Sequence, residues 1–451
     1  MPTSTVPLPR PGDPLRIAYL VYRGNPHCGG QGVYSRHLSL ELANLGHTVE
    51  VFAGPPWPVL EDPVKLTEVA SLDLYRRENP FRTPWPHEVR TLVDLQEYLL
   101  MCTAGFPEPY TFSVRARKML QQRRNDFDIV HDNQCLGTGL LGMLDDGWPL
   151  VHTLHHPITV DRDLELAAAT RFTRKLTLRR WYGFLNMQMR VARCLPRHLT
   201  VSENSKKDIV AQMGVSADRL HIVPVGVDQA RFRRMPHIAR VPGRLMTTAS
   251  ADVPLKGLTY LIDALAKIRV ERPDAHLVVI GNPRHKSKIP AQIEALGLNG
   301  AVEFVSGVSD ERIVELYGEA EIAVVPSLYE GFSLPTIEAM ACGTPVVATR
   351  GGALPEVVGQ HGESGMLVPV ADPSALATQI VEVLERPELQ AKLGEGGRRR
   401  VLDRFTWRKT AEGTQEHYFL ELEAHARRRH DAEVLNARPA TIASTAPGSP
   451  C

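Results

Sequence analysis

The sequence predicts two Rossmann-like, doubly wound α/β domains that face each other across a cleft. The length of 451 residues exceeds what a single ordinary core organises, so two domains are expected. A strand–loop–helix–strand pattern opens the chain, as in doubly wound folds. The same alternation of strands and helices begins again after a junction near residues 205–235.

The first domain is predicted over residues 15–215. Its opening strand at 15–21 is followed by a glycine-rich loop and then by a helix over about 33–45 that ends at Gly46. Residues 55–125 are less regular and are expected to form loops and helices that cover one end of the domain. The remaining strands of this domain are expected at 48–53, 129–131, 150–153 and 199–202.

The second domain is predicted over residues 216–404. A helix is expected over 256–270, and strands are expected at 221–224, 245–248, 275–280, 302–305, 322–325 and 345–348. The segment 405–430 is predicted to be a helix that crosses back to the first domain. Residues 431–451 have the composition of a disordered tail.

The overall composition is that of a globular protein without a bulk charge. The 52 basic and 51 acidic residues leave a net charge of +1, which gives no support for nucleic-acid binding. The six cysteines are scattered and form no C-x-x-C pair, which is typical of a reducing compartment. The N-terminus lacks the apolar core of a signal peptide, and no apolar run reaches the length of a membrane span. A cytoplasmic protein is expected.

The most informative segment is 324–348, VVPSLYEGFSLPTIEAMACGTPVVA. It reads as a strand, a loop with Glu330, a short helix with Ser333 as its N-cap and Gly343 as its stop, and a second strand. Free N–H groups at a helix start can hold an anion, and here Glu330 and Glu338 flank that start. Carboxylates beside an anion site need another role, such as holding sugar hydroxyls. The combination points to a nucleotide sugar.

The loop 24–32 (GNPHCGGQG) lies between the first strand and the first helix, where α/β proteins bind phosphates. Gly29, Gly30 and Gly32 would let a ligand approach the backbone closely. The loop is a poor dinucleotide fingerprint, and the second strand ends without the acidic ribose ligand of a dehydrogenase. The alternative is a tight turn with no ligand.

Two further segments offer candidates for the cleft rim. Gly281 follows a strand in GNPRHKS, which lacks the glycine that precedes the lysine of a P-loop. Lys256 stands at a helix start and suits a departing diphosphate, although most lysines are solvated surface groups. No His/Cys cluster has metal-ligand spacing, and no Asp-x-Asp pair lies in a suitable loop. The phosphate charge would then be met by protein cations and helix ends, with no metal.

Two more features carry open alternatives. In VHTLHHP, either His155 or His156 could reach into the cleft from a strand end, or the pair could form a turn stabilised by Pro157. The segment 171–197 contains basic and aromatic residues and no acidic ones. It could lie on a membrane surface as a peripheral contact, but an amphipathic helix with inward aromatics is favoured.

With these residues identified, the chain resembles the family-4 retaining glycosyltransferases of the GT-B fold. The segment from Glu330 to Glu338, continuing to residue 348, looks like the E-x7-E segment of that family. The resemblance covers about residues 15–420. Other matches occur in order at 29–32, 153–155, 201–202, 224–228, 255–257, 281, 352–356 and 405–407.

The resemblance implies transfer of a sugar from a nucleotide donor, UDP- or GDP-linked, with retention of anomeric configuration and without a metal or other cofactor. By analogy, Glu338 would hold the ribose hydroxyls and Glu330 would lie near the donor sugar. Lys256 would neutralise the diphosphate, and His155 would lie by the reacting carbon. The loop around Gly30 would close over the donor, and the remaining donor contacts would come from Gly29, Gly32, Gly281, Phe332, Ser333 and Leu334.

The chain departs from the family pattern at two positions. Ala251 stands where an arginine is usual, five residues before Lys256, and Val225 replaces a usual asparagine. Arg350 or Arg284 could supply the missing charge. The departures keep open a catalytically weak or silent nucleotide-sugar-binding protein, or an epimerase or phosphorylase relative. The acceptor, whether glycan, lipid or small molecule, has no signature in the sequence.

Overall fold

The computed structural model describes residues 9–25, 30–76, 78–248, 253–283 and 287–437, which form two α/β domains. The first domain contains a seven-stranded parallel sheet in the order β3-β2-β1-β4-β5-β6-β7. Its strands are β1 (Arg16–Val21), β2 (Thr48–Ala53), β3 (Lys65–Glu68), β4 (Ile129–Asn133), β5 (Leu150–Thr153), β6 (His198–Thr200) and β7 (Leu220–Ile222).

The second domain contains a six-stranded parallel sheet in the order β10-β9-β8-β11-β12-β13. Its strands are β8 (Arg244–Thr248), β9 (His276–Ile280), β10 (Val302–Val305), β11 (Ile322–Val325), β12 (Val346–Thr349) and β13 (Met366–Val368). Both strand orders reverse beside the first strand of their sheet, which opens a crevice at the carboxyl ends of the strands. The predicted fold class, two doubly wound domains, is confirmed.

Helices cover both faces of each sheet. In the first domain they are α1 (Gly30–Asn44), α2 (Leu92–Cys102), α3 (Glu108–Gln122), α4 (Gly139–Asp145), α5 (Thr159–Ala168), α6 (Phe172–Trp181), α7 (Phe184–Cys194) and α8 (Glu203–Met213). The helices of the second domain and of the C-terminal segment are α9 (Leu258–Glu271), α10 (Ile289–Ala295), α11 (Asp310–Glu319), α12 (Leu334–Ala341), α13 (Leu354–Val358), α14 (Pro373–Glu385), α15 (Pro387–Arg404) and α16 (Trp407–Ala437). Short 3₁₀ turns lie at Pro86–Glu88, Ala217–Arg219 and Pro254–Lys256.

One predicted strand belongs to the other domain. The segment expected to open the second domain at 221–224 overlaps β7, which pairs in parallel with β6 at the edge of the first sheet. Helix α8 acts as the crossover that returns the chain parallel to β6, and a three-residue apolar strand carries no signal of which sheet it joins. The boundary at 215/216 is therefore wrong, because the first sheet continues to residue 222.

The last helix returns to the first domain. In α16, the Tyr418 hydroxyl lies 2.6 Å from His131 Nδ1 and the Gln415 Oε1 lies 2.7 Å from His47 Nε2. The predicted tail is corrected over 431–437, where α16 continues. Ion pairs one turn apart, such as Arg427 with Glu423, support a helix in this charged sequence. Residues 438–451 lie outside the described part of the chain.

The basic and aromatic segment 171–197 forms α6 and α7. Trp181 packs against Tyr75 and Phe106, with ring centroids 5.5 and 5.1 Å apart, and Phe184 joins the same cluster. Trp181 and Phe184 thus pack inward, as the amphipathic interpretation predicts, whereas Phe172 at the start of α6 is 75% exposed. Across the described residues, the structure contains no helix with the length and apolar character needed to cross a bilayer.

Candidate functional site

A cavity of about 420 Å³ lies between the two domains, and its lining comes from both. The carboxyl ends of the parallel strands and the loops after them supply most of the wall, as expected for an α/β crevice. The first domain contributes residues from α1, the loops after β4 and β5, and the start of α5. From the second domain come Lys256 with its neighbours and the continuous run Tyr329 to Pro335. Trp407, at the start of α16, also lines the cavity.

Glu330 and Lys256 form an ion pair at the cavity wall. Lys256 Nζ lies 2.8 Å from Glu330 Oε1, and the Ser327 hydroxyl donates to the same oxygen at 2.7 Å. Lys256 ends the 3₁₀ turn before α9, so a short, rigid connection holds its backbone. Because the lysine retains some exposure while Glu330 is buried, the cation is the more accessible member of the pair.

The backbone around Glu330 is fixed by two close approaches. Ala353 N–H donates to the Glu330 carbonyl at 2.8 Å, and Gly352 adopts a φ of +59° beside it. A Cβ on Gly352 would lie 2.2 Å from that carbonyl oxygen. Glycine at this position therefore permits the contact that holds the Glu330 backbone.

Helix α12 begins at the cavity wall, with Phe332, Ser333, Leu334 and Pro335 among the lining residues. Ser333 is the N-cap residue, as expected from its position, but its side chain makes no capping hydrogen bond. Its φ is +95°, and its hydroxyl lies 2.8 Å from the side-chain hydroxyl of Thr336 in the first turn. The wall here is a helix start with orphan N–H groups.

Glu338 lies on the second turn of α12 and is not part of the cavity lining that the described residues define. Burial raises its pKa to about 7, and the hydroxyl of Tyr317, which donates to Oε2 at 3.3 Å, opposes that rise. A carboxyl group in this state changes protonation near neutral pH. Glu330, by contrast, is paired with the Lys256 ammonium.

His155 is held from two directions by residues at the end of β4. Its Nε2 lies 2.8 Å from Asn133 Oδ1, and its backbone N–H donates to Gln134 Oε1 at 3.0 Å. The Gln134 amide also donates to the His156 carbonyl at 3.2 Å, and the ring of Tyr34 packs edge-on against His155. Burial lowers the pKa of His155 to about 3, so the ring is neutral at physiological pH.

The neighbouring His156 also lines the cavity. Its Nε2 lies 3.4 Å from an oxygen of Asp161, and about half of each side chain is exposed. The structure thus brings both histidines to one wall. The ring of His155 is hydrogen-bonded to Asn133 at 2.8 Å, whereas the ring of His156 has only the longer, half-exposed contact with Asp161.

The glycine positions are more varied. Gly30 and Gly32 are part of the first turn of α1, so the helix starts earlier than predicted, and between them Gln31 lines the cavity. A Cβ on Gly32 would lie 1.9 Å from the Asn25 carbonyl oxygen, so this glycine permits a close backbone contact. Gly281 directly follows β9, its N–H donates to the Val305 carbonyl at 2.8 Å, and it is not among the lining residues. Gly29 lies outside the described residues.

Lys256 is the only lysine or arginine among the described residues that line the cavity. Arg350 follows β12 and is exposed away from this wall, while Val225 contributes to the lining. Ala251 and Arg284 lie outside the described residues.

Sequence reasoning missed the residues that support the site. Asn133 and Gln134 were overlooked because the strand was predicted to end at His131, and a polar strand end resembles a loop. The run of polar residues after an apolar strand (HDNQ) is the signal that could have revealed them.

A set of contacts between the domains was also missed. Glu356, at the start of α13, accepts hydrogen bonds from the backbone N–H groups of Glu203 at 2.7 Å and Asn204 at 2.8 Å. These groups open α8 in the other domain. The hydroxyl of Ser202 donates to the Gly331 carbonyl at 2.7 Å, beside Glu330. The loop that carries Glu330 is therefore docked on the first domain.

The chain matches two family models. Residues 28–231 match Glycosyltransferase Family 4, and residues 237–400 match Glycosyl transferases group 1. The MMP alpha-(1->4)-mannosyltransferase of Mycolicibacterium hassiacum is 54% identical over 401 residues, which covers 89% of this chain and 97% of that protein. A D-inositol 3-phosphate glycosyltransferase of Acidothermus cellulolyticus is 30% identical over 435 residues, covering 89% of this chain and 90% of that protein.

Solved structures share the fold. Sucrose-phosphate synthase from Thermosynechococcus elongatus superposes with a TM-score of 0.68 at 24% identity, covering 91% of this chain and 100% of that one. HepE from Anabaena, solved in complex with UDP-glucose, superposes with a TM-score of 0.60 at 19% identity, covering 89% of this chain and 99% of that one. Taken with the two facing domains and the cavity between them, these matches show that the chain belongs to the family-4 glycosyltransferases of the GT-B fold.

Proposed function

We propose that this glycosyltransferase moves a mannosyl group from a nucleotide-linked mannose to the 4-hydroxyl of a saccharide acceptor, forming an α-(1→4) linkage. The observation that carries the proposal is the 54% identity to the M. hassiacum MMP alpha-(1->4)-mannosyltransferase across 97% of that protein. The D-inositol 3-phosphate glycosyltransferases are less similar, at 26–30% identity.

The cavity supports a nucleotide-sugar donor. The start of α12 offers orphan N–H groups to a diphosphate, and Lys256 supplies a positive charge on the same wall. Glu338 is proposed to accept the ribose hydroxyls, and Glu330 is proposed to lie near the donor sugar. His155, neutral and fixed from two sides, is proposed to contact the sugar near the reacting carbon. Catalysis would then consist of positioning both substrates and stabilising the departing diphosphate.

Retention and independence of metal are part of the proposal. The Lys256 ammonium and the α12 start can together neutralise the leaving group, which is the task a divalent cation performs in other transferases. We expect the rate to be unchanged by chelation with EDTA. We also expect an α-linked donor to give an α-linked product.

The test is transfer from a panel of donors, with GDP-mannose, UDP-glucose and ADP-glucose offered beside an α-mannoside acceptor. Mannosyl transfer to the acceptor, with the product's anomeric configuration read by NMR, would support the proposal. A matched acceptor that lacks the 4-hydroxyl should give no product. Transfer of another sugar, or transfer to the 4-deoxy acceptor at the same rate, would contradict it. Binding of donors without any transfer would indicate the silent alternative.

A further inference from the structure

A chain of hydrogen bonds that begins in helix α1 determines which atoms donate and which accept around His155. The Ser35 hydroxyl oxygen lies 2.7 Å from the Gln31 carbonyl oxygen, and both residues are on that helix. A carbonyl can only accept, and two oxygens this close without a hydrogen between them would repel. The single proton of Ser35 therefore points at Gln31.

This assignment fixes the orientation of the buried Asn133 amide. One end of the amide lies 3.1 Å from Ser35 Oγ, whose proton is already used, so that end must be the NH₂ donor. The other end is then the carbonyl oxygen, and it faces His155 Nε2 at 2.8 Å. Since this oxygen accepts, Nε2 of the neutral imidazole carries the hydrogen.

The remaining ring nitrogen, Nδ1, is consequently an acceptor. Among the described residues no donor lies within hydrogen-bonding distance of it, and His155 lines the cavity. Sugar hydroxyls are donors of the kind that an imidazole lone pair can accept from.

We propose that Asn133 and Ser35 are positioning residues that lock His155 in its Nε2–H form, so that Nδ1 accepts a hydrogen bond from a sugar hydroxyl in the cavity. The sugar is either the donor's or the acceptor's, because both would enter this space, and the kinetics below distinguish the two. Part of the proposal, the sugar contact, rests on the proposed function, whereas the locked tautomer does not. We call the chain of hydrogen bonds from Gln31 through Ser35 and Asn133 to His155 the relay. Because Gln31 itself lines the cavity, a movement at the start of α1 would be transmitted along the relay to the His155 ring.

The tautomer can be measured without activity. Long-range ¹H–¹⁵N spectra of protein labelled with ¹⁵N-histidine distinguish the two neutral ring forms, and a His155→Gln variant identifies the signals of this ring. Wild type should show the Nε2–H form. Asn133→Leu, which keeps the volume but removes the acceptor, should show a mixture or the Nδ1–H form. A wild-type ring in the Nδ1–H form, or an Asn133→Leu spectrum like that of wild type, would overturn the proposal.

Ser35 has a matched control on the same helix. Ser39 is equally buried and its hydroxyl donates to the Arg36 carbonyl at 3.1 Å, but it does not contact Asn133. Ser35→Ala should bring the second tautomer into the spectrum, because the Asn133 amide loses the acceptor that orients it. Ser39→Ala should leave the spectrum and the kinetics as in wild type. Equal spectra for the two variants would contradict the relay.

Kinetics test the sugar contact separately. Asn133→Leu should lower kcat/KM roughly ten- to a hundredfold, as expected for one lost and misaligned hydrogen bond to the substrate. A loss confined to the donor KM, or to hydrolysis of donor alone, assigns the hydroxyl to the donor; a loss confined to the acceptor KM assigns it to the acceptor. Unchanged kcat/KM would overturn the contact. If the wild type transferred no mannose, the proposed function would be refuted. The spectra would still show whether Asn133 and Ser35 fix the tautomer of His155.

Asn133→Asp tests the contact through the pH dependence of kcat/KM, which would not shift if Asn133 only supported the fold. The carboxylate keeps an acceptor for Nε2–H and should retain that tautomer, but its charge should raise the pKa of His155 and move the acidic limb of the kcat/KM profile towards neutral pH. The other titratable groups around the ring are common to both proteins; they are Tyr34, His131, His152, His156, Asp161, Lys256 and Glu330. An acidic limb that stays in place would count against the contact.

Discussion

Lys256 and Glu330 form an ion pair, with 2.8 Å between Nζ and Oε1, in the wall of the interdomain cavity. The positive charge available to a diphosphate therefore already has a carboxylate partner. The Lys256 ammonium has three N–H groups, and Glu330 accepts from one of them. A bound diphosphate must therefore either share Lys256 with Glu330 or displace Glu330 from it.

Replacing Lys256 by methionine should lower kcat/KM by roughly 10²–10³, the usual consequence of removing one group that stabilises developing charge. The side-chain length is kept, so packing against the cavity is largely preserved. Steady-state kinetics with the preferred donor would measure the effect. Lys267→Met provides the control, since Lys267 is an exposed lysine in the C-terminal half of α9 and does not line the cavity. Equal rates for the two variants would show that Lys256 does not meet the leaving group.

The pH dependence of donor binding should follow Glu338. A carboxylate accepts ribose hydroxyls through its ionised oxygens, and burial raises the pKa of this group to about 7. Donor affinity should therefore increase as the pH rises from 6 to 8, and it should be lower and independent of pH in Glu338→Gln. Tyr317→Phe should move the transition to higher pH, because the Tyr317 hydroxyl favours the ionised form. Calorimetric titration with the nucleotide would measure both; a flat wild-type profile would contradict the assignment.

Ionisation of Glu338, which should favour donor binding, should lower the stability of the fold. Its pKa is 4.5 in a solvated chain and about 7 in the folded protein, so the folded state prefers the protonated form. The favourable contribution is complete below pH 4.5 and is lost as the pH rises through 7. Glu338→Gln, which cannot ionise, should therefore gain thermal stability relative to wild type between pH 5 and pH 8. Melting curves at the two pH values measure this, and a difference that does not grow with pH would refute the raised pKa.

The sequence predicts those features of this structure that depend on neighbouring residues, and it does not predict those that depend on contacts between distant segments. Alternating apolar strands and helices identified both sheets, and the E-x7-E segment directed attention to a loop that lines the interdomain cavity. The assignment of β7 failed because its partner, β6, is separated from it by a helix, and strand pairing is not a local property. The residue pattern alone did not choose between His155 and His156, and His155 was named only through the family resemblance. The contacts that distinguish the two come from Asn133 and Gln134, which reach the histidines through the pairing of β4 with β5. Ser333 was placed correctly as an N-cap, but its positive φ depends on how the loop docks.

Gly352 should be intolerant of alanine because of the Glu330 backbone. Any Cβ at a φ near +59° costs about 1–2 kcal/mol, but here it would also meet the Glu330 carbonyl oxygen at 2.2 Å. Gly352→Ala should therefore lose more unfolding free energy than the φ penalty alone and should also lose activity, because Glu330 must move. Gly297 is the control, with a φ of +64° and no atom within 4 Å of an added Cβ. Chemical denaturation and kinetics would compare the two, and equal losses would show that the contact is relaxed at little cost.

Glu356 should hold the two domains together. Its carboxylate accepts from the N–H groups of Glu203 and Asn204 at the positive end of α8, so one domain caps a helix of the other. Glu356→Ala should lower the unfolding free energy by about 0.5–2 kcal/mol, increase the radius of gyration measured by small-angle X-ray scattering, and reduce kcat/KM, because the wall formed by the Glu330 loop is less firmly docked. Glu363→Ala removes an exposed carboxylate from the same domain and should leave all three quantities unchanged. If Glu356→Ala scattered and reacted like Glu363→Ala, the capping contact would be a local helix cap without influence on the cleft.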